Sequence, residues 1–230
     1  MKVTAVIPAG GQGRRLGAGE AKQYLLLNGI PLLVHTLRSF QDAPVIDDIV
    51  LVVPAGDEAR IEEELLGPFT LTKVRHIVAG GRERQDSVRH GLVVLDNDCE
   101  LVVIHDAARP LVSPALIARA VREARREGAV TVGIPAGDTI KECNGEGRVI
   151  GTLPRERLWI TQTPQVFRRE IIVAAHGQAR KDKFSGTDDA MLVERMGVPV
   201  KMLPGDPANI KITTAGDLAW AECILTEKSR

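Results

Sequence analysis

Five short runs of the chain are apolar almost without interruption: "VTAVI" (3–7), "DIVLVV" (48–53), "VRHIVA" (74–79), "LVVIHD" (101–106) and "AVTVGIP" (129–135). Each is rich in β-branched residues, the pattern of strands buried on both faces of a parallel sheet. Helix patterns over 31–41, 57–66, 86–95 and 113–128 separate them. The first opens with Pro31, which a first helical turn tolerates. The second opens with Asp57 and Glu58, acids that suit a helix N-terminus. Asp86 or Ser87 would cap the third, and the fourth is bracketed by Ser113, Pro114 and Gly128. Strands alternating with helices predict an α/β fold: a mostly parallel sheet with helices on both faces and a ligand site at the carboxyl ends of the strands. Aromatic residues make up only 3% of the chain, so the core must be built from Val, Leu, Ile and Ala.

The alternation breaks at 138–153, where two short runs flank "NGEG", a β-hairpin signal. An isolated hairpin is marginal in water. This one is expected to project as an arm and to pack on something, a second subunit being the first choice and a plain surface excursion the alternative. The chain then returns through "WITQTPQVF" (159–167), helices near 168–180 and 188–196, the apolar "VPVKML" (198–203) and a last helix near 214–226. With no internal repeat and no low-complexity linker, the 230 residues read as one domain with 138–153 as an arm.

Thirty basic and 30 acidic side chains give a formal charge of zero, so no global basic field exists to hold a nucleic acid, and any phosphate site must be local. No run of about 18 apolar residues suggests a membrane span, and the N-terminal run is too short for a signal peptide. Cys99, Cys143 and Cys223 show no ligand spacing, which favours a reducing compartment and a cytoplasmic location.

The first strand runs into "PAGGQGRRLG" (8–17). A dinucleotide fingerprint would need a third glycine where Leu16 stands and an acid after the next strand, which ends "VVPAG". An ATP-type phosphate loop would need Gly-Lys-Ser/Thr, which is missing. What remains is a glycine turn whose backbone amides can approach a phosphate chain, with Arg14 and Arg15 in it and Lys22 behind. Cations placed there suit a reaction that builds negative charge on phosphorus.

These residues, with "KQY" (22–24), resemble the signature of nucleotidyltransferases that activate phosphorylated sugars and polyols, whose fold is a Rossmann-like α/β layer. "GGRERQDSVRHGL" (80–92), "HDAARP" (105–110), "DT" (138–139), "TPQVF" (163–167) and "ANIKIT" (208–213) occur in the order found in 2-C-methyl-D-erythritol 4-phosphate cytidylyltransferases of the non-mevalonate isoprenoid pathway. The resemblance runs over essentially the whole chain, and no fused cyclodiphosphate synthase domain is expected.

The resemblance implies transfer of CMP from CTP to 2-C-methyl-D-erythritol 4-phosphate, with release of pyrophosphate. A ribitol 5-phosphate cytidylyltransferase is the nearest alternative, and a non-catalytic nucleotide-binding protein of the same fold is the other. Arg15 and Lys22 match the transition-state stabilisers of the family. Ala9, Gly10, Gly11, Gly80, Gly81, Ser87 and Ala107 match its nucleotide-binding positions, although Ser87 would equally serve as a helix cap. Asp106, Arg109, Thr139 and Thr163 match acceptor-binding positions, and Arg155 and Lys211 those that position the acceptor phosphate. Asp106 could instead ligate Mg²⁺ or pair with Arg109, and His105 is expected to be structural. Mg²⁺ is implied as the cofactor, held mainly by the CTP phosphates. The arm carrying Thr139 and Arg155 would cross to the partner of a homodimer. Asp188 and Asp189 are expected to be acids at a helix start, or a metal pair.

Overall fold

The computed structural model describes residues 1–10 and 24–228. Gly11, Arg14, Arg15 and Lys22 lie outside the described residues.

The central sheet grows outward from the first strand, β1 (Lys2–Pro8). A two-residue antiparallel pair, β2 (Leu26–Leu27) and β3 (Ile30–Pro31), leads into α1 (Leu32–Gln41). Then come β4 (Asp48–Val53), α2 (Glu58–Ile61), which continues as a wider π turn over Glu62–Leu66, β5 (Val74–Ala79), α3 (Arg84–Val93) and β6 (Cys99–Ile104). The second half contains α4 (Pro114–Glu127), β7 (Ala129–Pro135), the hairpin β8 (Ile140–Cys143) and β9 (Val149–Leu153), β10 (Trp159–Arg168), α5 (Arg169–Lys181), α6 (Asp189–Arg195), β11 (Lys201–Pro204) and α7 (Ala215–Lys228).

Seven strands form one sheet in the order β11-β7-β10-β6-β1-β4-β5. All neighbours are parallel except β10, which runs antiparallel to both β6 and β7. The fold is therefore α/β with a mostly parallel sheet, as the alternation of runs predicts. The antiparallel β10 arises because the chain returns from the hairpin and re-enters between β7 and β6.

Alternate side chains of the central strands serve opposite cores. Val3, Ala5, Ile7, Ile49, Leu51, Val53, Leu101 and Val103 pack with α1 and α4 residues such as Leu37, Phe40, Ile117 and Val121. Val6, Val50, Val52, Val102 and Ile104 pack on the other face with Val88, Leu92, Ile172, Ala175, Leu192 and Val193 of α3, α5 and α6. Burying one such aliphatic side chain contributes about 1.5–3 kcal/mol, which is why these runs show no polar alternation.

A third, smaller cluster joins Leu27, Leu32, Leu111, Ile212 and Ala221. It fixes the irregular segment before α7. Thr214 and Asp217 lock the start of that helix reciprocally: the Asp217 amide donates to Thr214 Oγ1 (3.2 Å), and Asp217 Oδ2 accepts from the Thr214 amide (2.8 Å). This is a capping box. The Thr213 amide and hydroxyl also donate to Asp217, and this bonding pulls its carboxyl down to about 2. A depressed carboxyl contributes stability that is present above its unfolded pKa, near 4, and is lost as pH falls toward 2. Thr214→Ala should cost about 1 kcal/mol, read as a melting-temperature drop of roughly 2–4 °C at neutral pH.

Candidate active site

Strand order places the site. From β1 the sheet grows one way through β4 and β5 and the other way through β6, so the order reverses between β1 and β6. Ligands of open α/β sheets bind outside the carboxyl ends of strands at such a switch point. Here those ends lead into Ala9–Gly10 after β1, Gly80–Gly81 after β5 and His105–Asp106–Ala107 after β6.

The glycine turns are tied to one another through β4. The Ala9 amide donates to the Val52 carbonyl (2.6 Å) and the Gly80 amide to the Val53 carbonyl (2.7 Å). Ser87 Oγ accepts from the Gly81 amide (3.1 Å) and donates to the Glu83 carbonyl (3.2 Å). A Cβ on Gly80 would come 3.0 Å from Ser87 Oγ, and one on Gly81 would come 2.2 Å from Asp86 Cβ, so the backbone approaches α3 more closely than any side chain permits. A Cβ on Gly10 would reach the same hydroxyl at 4.0 Å. The structure thus brings Gly10, Gly80, Gly81 and Ser87 to one place. Ala107, the residue after Asp106, is buried, its carbonyl accepting from Thr36 Oγ1 (2.8 Å). Neither Asp86 nor Ser87 is a helix cap. The helix starts three residues before Ser87, at Arg84, with Glu83 at the cap position, and the Ser87 hydroxyl ties the glycine turn instead.

Asp106 lies just beyond β6 with its side chain 11% exposed, held between two cations. Arg84 Nε donates to Oδ1 (2.8 Å) and Lys211 Nζ to Oδ2 (2.7 Å). Burial alone would raise the Asp106 pKa. The Arg84 and Lys211 charges outweigh it and hold the carboxyl well below the usual range. Lys211 reaches this position because its neighbours Ile210 and Ile212 belong to the third apolar cluster, and the Ile212 amide donates to the Ala108 carbonyl (2.8 Å). The segment around Lys211 is irregular.

Behind Asp106 runs a buried polar chain. The Asp106 amide donates to Thr163 Oγ1 (3.1 Å), which in turn contacts His105 Nδ1 (3.0 Å). His105 Nε2 contacts the Arg109 carbonyl (3.1 Å). Read as donors, the Thr163 hydroxyl gives to Nδ1 and Nε2–H gives to the carbonyl, which requires a neutral imidazole. Full burial pushes the His105 pKa down to about 4, in keeping with that tautomer. His105 is structural, as expected. Arg109 is not paired with Asp106: its guanidinium donates to the carbonyls of Asn209 (2.8 Å) and Thr161 (3.4 Å). Those two carbonyls already lie within its reach, while Asp106 is taken by Arg84 and Lys211.

Sequence reasoning gives no sign that Arg84 belongs to the site. Its Nη1 donates to Asp189 Oδ2 (2.7 Å), and Asp189 Oδ1 accepts from His176 Nε2 (3.0 Å). Asp188 and Asp189 do stand at a helix start: Asp188 caps α6 by accepting from the Met191 amide (2.9 Å), and Asp189 in the first turn is also the buried partner of Arg84. Thr139 and Arg155 are exposed on and beside the hairpin, Arg155 Nη1 donating to the Gly137 carbonyl (3.1 Å). Among the described residues, no hydrogen bond joins either to the Asp106 cluster.

The model of the 2-C-methyl-D-erythritol 4-phosphate cytidylyltransferase family matches residues 3–227. The chain belongs to that family. The cytidylyltransferase of Syntrophus aciditrophicus strain SB is 50% identical over 227 residues, covering 99% of this chain and 97% of that protein. The crystal structure of the 4-diphosphocytidyl-2C-methyl-D-erythritol synthase from Anaerococcus prevotii aligns with a TM-score of 0.85 at 31% identity, covering 98% of this chain and 96% of that one. The cytidylyltransferase of Thermus thermophilus aligns at 0.81 with 33% identity, covering 97% and 98%. The family is one of nucleotidyltransferase enzymes. No helix among the described residues is long and apolar enough to cross a membrane.

Proposed function

We propose that the chain transfers CMP from CTP to 2-C-methyl-D-erythritol 4-phosphate. An oxygen of the acceptor phosphate attacks the α-phosphorus in line. A new P–O bond joins the two phosphates while the bond between the α-phosphorus and the bridging oxygen breaks, and the electron pair leaves with pyrophosphate. The observation that carries the proposal is the Asp106 carboxylate clamped by Arg84 and Lys211 beside a turn built from Gly10, Gly80, Gly81 and Ser87. The turn, with the Gly80 and Gly81 amides bound to β4 and Ser87, gives the nucleotide a backbone floor free of side chains at Gly10, Gly80 and Gly81. Asp106 meets acceptor hydroxyls, and Lys211, its side chain 42% exposed, is free to trade Asp106 for the acceptor phosphate. Thr163 orients Asp106 through its amide. Arg15 and Lys22 stabilise the charge that develops on the α-phosphate.

The described residues hold no group of three or more His, Cys, Asp or Glu suited to a metal ion, and both Asp106 oxygens are occupied by cations. Mg²⁺ would arrive on the CTP phosphates, and no step is assigned to a protein-held metal. The enzyme works in the cytoplasm.

The single domain acts as a homodimer through the 138–153 arm. Val149 and Ile150 of β9 and Ile160 of β10 are 59%, 61% and 55% exposed, an apolar surface that a second subunit would cover. Arg155 and Thr139 would then complete the partner's acceptor site. Arg155→Ala protein mixed with Lys22→Ala protein should regain about a quarter of wild-type activity, since half the dimers are mixed and each has one intact site. No recovery despite proven subunit exchange would contradict the shared site.

Gly81→Ala drives a Cβ into Asp86. Such overpacking costs about 1–3 kcal/mol, and the turn must move from α3. The expected result is weaker CTP binding by titration calorimetry with an unchanged KM for the acceptor.

Pyrophosphate release tests the function. With CTP and Mg²⁺, release should require methylerythritol phosphate. Release with ribitol 5-phosphate alone would overturn the substrate assignment, and release with neither acceptor would favour a binding protein.

A further inference from the structure

The polar groups on the α3 and α6 side of Asp106 form one continuous line: His176 on α5, Asp189 at the start of α6, Arg84 at the start of α3, then Asp106 and Lys211. Both carboxylates are nearly or fully buried, with Asp189 at 1% and Asp106 at 11% side-chain exposure. Arg84 uses two different nitrogens for them, Nη1 for Asp189 and Nε for Asp106. A guanidinium is a planar, rigid fork, so fixing one of its edges fixes the direction of the other. Asp189 is fixed in turn. Its amide and that of Ala190 donate to Gln165 Oε1 on β10 (3.1 and 3.3 Å), and His176 Nε2 holds its second oxygen. The His176 ring is buried and its Nδ1 has no partner among the described residues, so the ring's polar engagement there is the Nε2 contact to Asp189.

The opposite end of the line is different. Lys211 is the most exposed member and reaches Asp106 on a flexible stem. If it turns to the acceptor phosphate, Arg84 is the cation left to hold the direction of Asp106. The anchoring must then come from the buried end.

We propose that Asp189, seated by His176, is a positioning residue that fixes Arg84 and, through it, the Asp106 carboxylate in the orientation that receives the acceptor. The inference rests on the acceptor role given to Asp106 above, so its test includes a reading independent of turnover. The Arg84 Nε–H resonance, assigned by its loss in Arg84→Lys, reports the Arg84–Asp106 contact directly by ¹⁵N NMR. It should be sharp and protected from solvent exchange in the wild-type protein and in His176→Gln, whose amide can still donate to Asp189. It should broaden or vanish in Asp189→Asn and in His176→Leu. In the transfer assay, Asp189→Asn should raise KM for the acceptor by about tenfold or more and leave KM for CTP within about twofold, with His176→Gln keeping near-normal values. A residue that only docks α6 would lower the melting temperature while leaving the Arg84 resonance protected and the two KM values moving together. Either observation overturns the proposal. If the wild-type protein fails to transfer CMP, the functional assignment falls, and the Arg84 resonance still decides whether Asp189 fixes Asp106.

Discussion

Arg15→Ala and Lys22→Ala are each expected to lower kcat for CMP transfer by roughly 100- to 1000-fold while changing CTP affinity little. The reasoning is electrostatic. The reaction brings a phosphate anion onto a phosphate chain, and charge on the equatorial oxygens of the α-phosphorus grows as the new bond forms. A donor aimed at those oxygens acts mainly in the transition state, so removing it appears in kcat. Arginine supplies a forked contact and lysine a point charge, and Arg15→Lys should recover only part of the loss. Both residues lie in the segment outside the described residues, between Gly10 and Tyr24. Losses confined to CTP binding would contradict their role.

Asp106→Ala is the second large effect. It strands Arg84, whose remaining partner is Asp189, and frees Lys211. The lost charged hydrogen bond from Arg84 should cost about 2 kcal/mol of stability, whereas the exposed Lys211 contact adds little. Activity suffers more, because the group that meets the acceptor is gone: kcat/KM for the acceptor should fall by about 100-fold or more. Asp106→Asn keeps the shape but points amide hydrogens at one of two cations, and should bind the acceptor almost as poorly. The sign of the pH effect follows from the depressed carboxyl. Its contribution is fully present above the unfolded pKa, near 4, and is lost only as pH falls well below that. The stability of Asp106→Ala should therefore depend less steeply on pH below 4 than that of the wild type, as acid unfolding monitored by circular dichroism would show.

Local chemistry makes most of the fold legible in advance. The runs at 48–53, 74–79 and 129–135 are strands with those bounds, Pro114–Glu127 sits between its cap and its glycine, and the 138–153 hairpin stands where Asn-Gly signals it. Each rests on signals within a few residues of one another. The charged network is not legible in this way. Arg84 meets Asp189 across 105 positions, and Lys211 meets Asp106 across the same span, contacts that only the sheet order creates. Asp189 reads as a helix-start acid because its immediate neighbours say so, while its burial is decided by Gln165 on β10 and His176 on α5. Arg109 misleads for a related reason. Its proximity in sequence to Asp106 suggests an ion pair, but the turn directs its guanidinium to the carbonyls of Thr161 and Asn209. The helix start near Ser87 shifts because a serine beside a glycine turn has two uses, and here the hydroxyl binds the Gly81 amide.

In the proposed reaction the acceptor phosphate attacks the α-phosphorus of CTP. Methylerythritol phosphate carrying ¹⁸O in its phosphate group, turned over with CTP and Mg²⁺, tests it by ³¹P NMR of the products. The expected product is a diphosphate diester with an isotope-shifted resonance at both phosphorus atoms, from a labelled bridging oxygen, together with unlabelled pyrophosphate. Label in the pyrophosphate, or no diester from this acceptor, would contradict it.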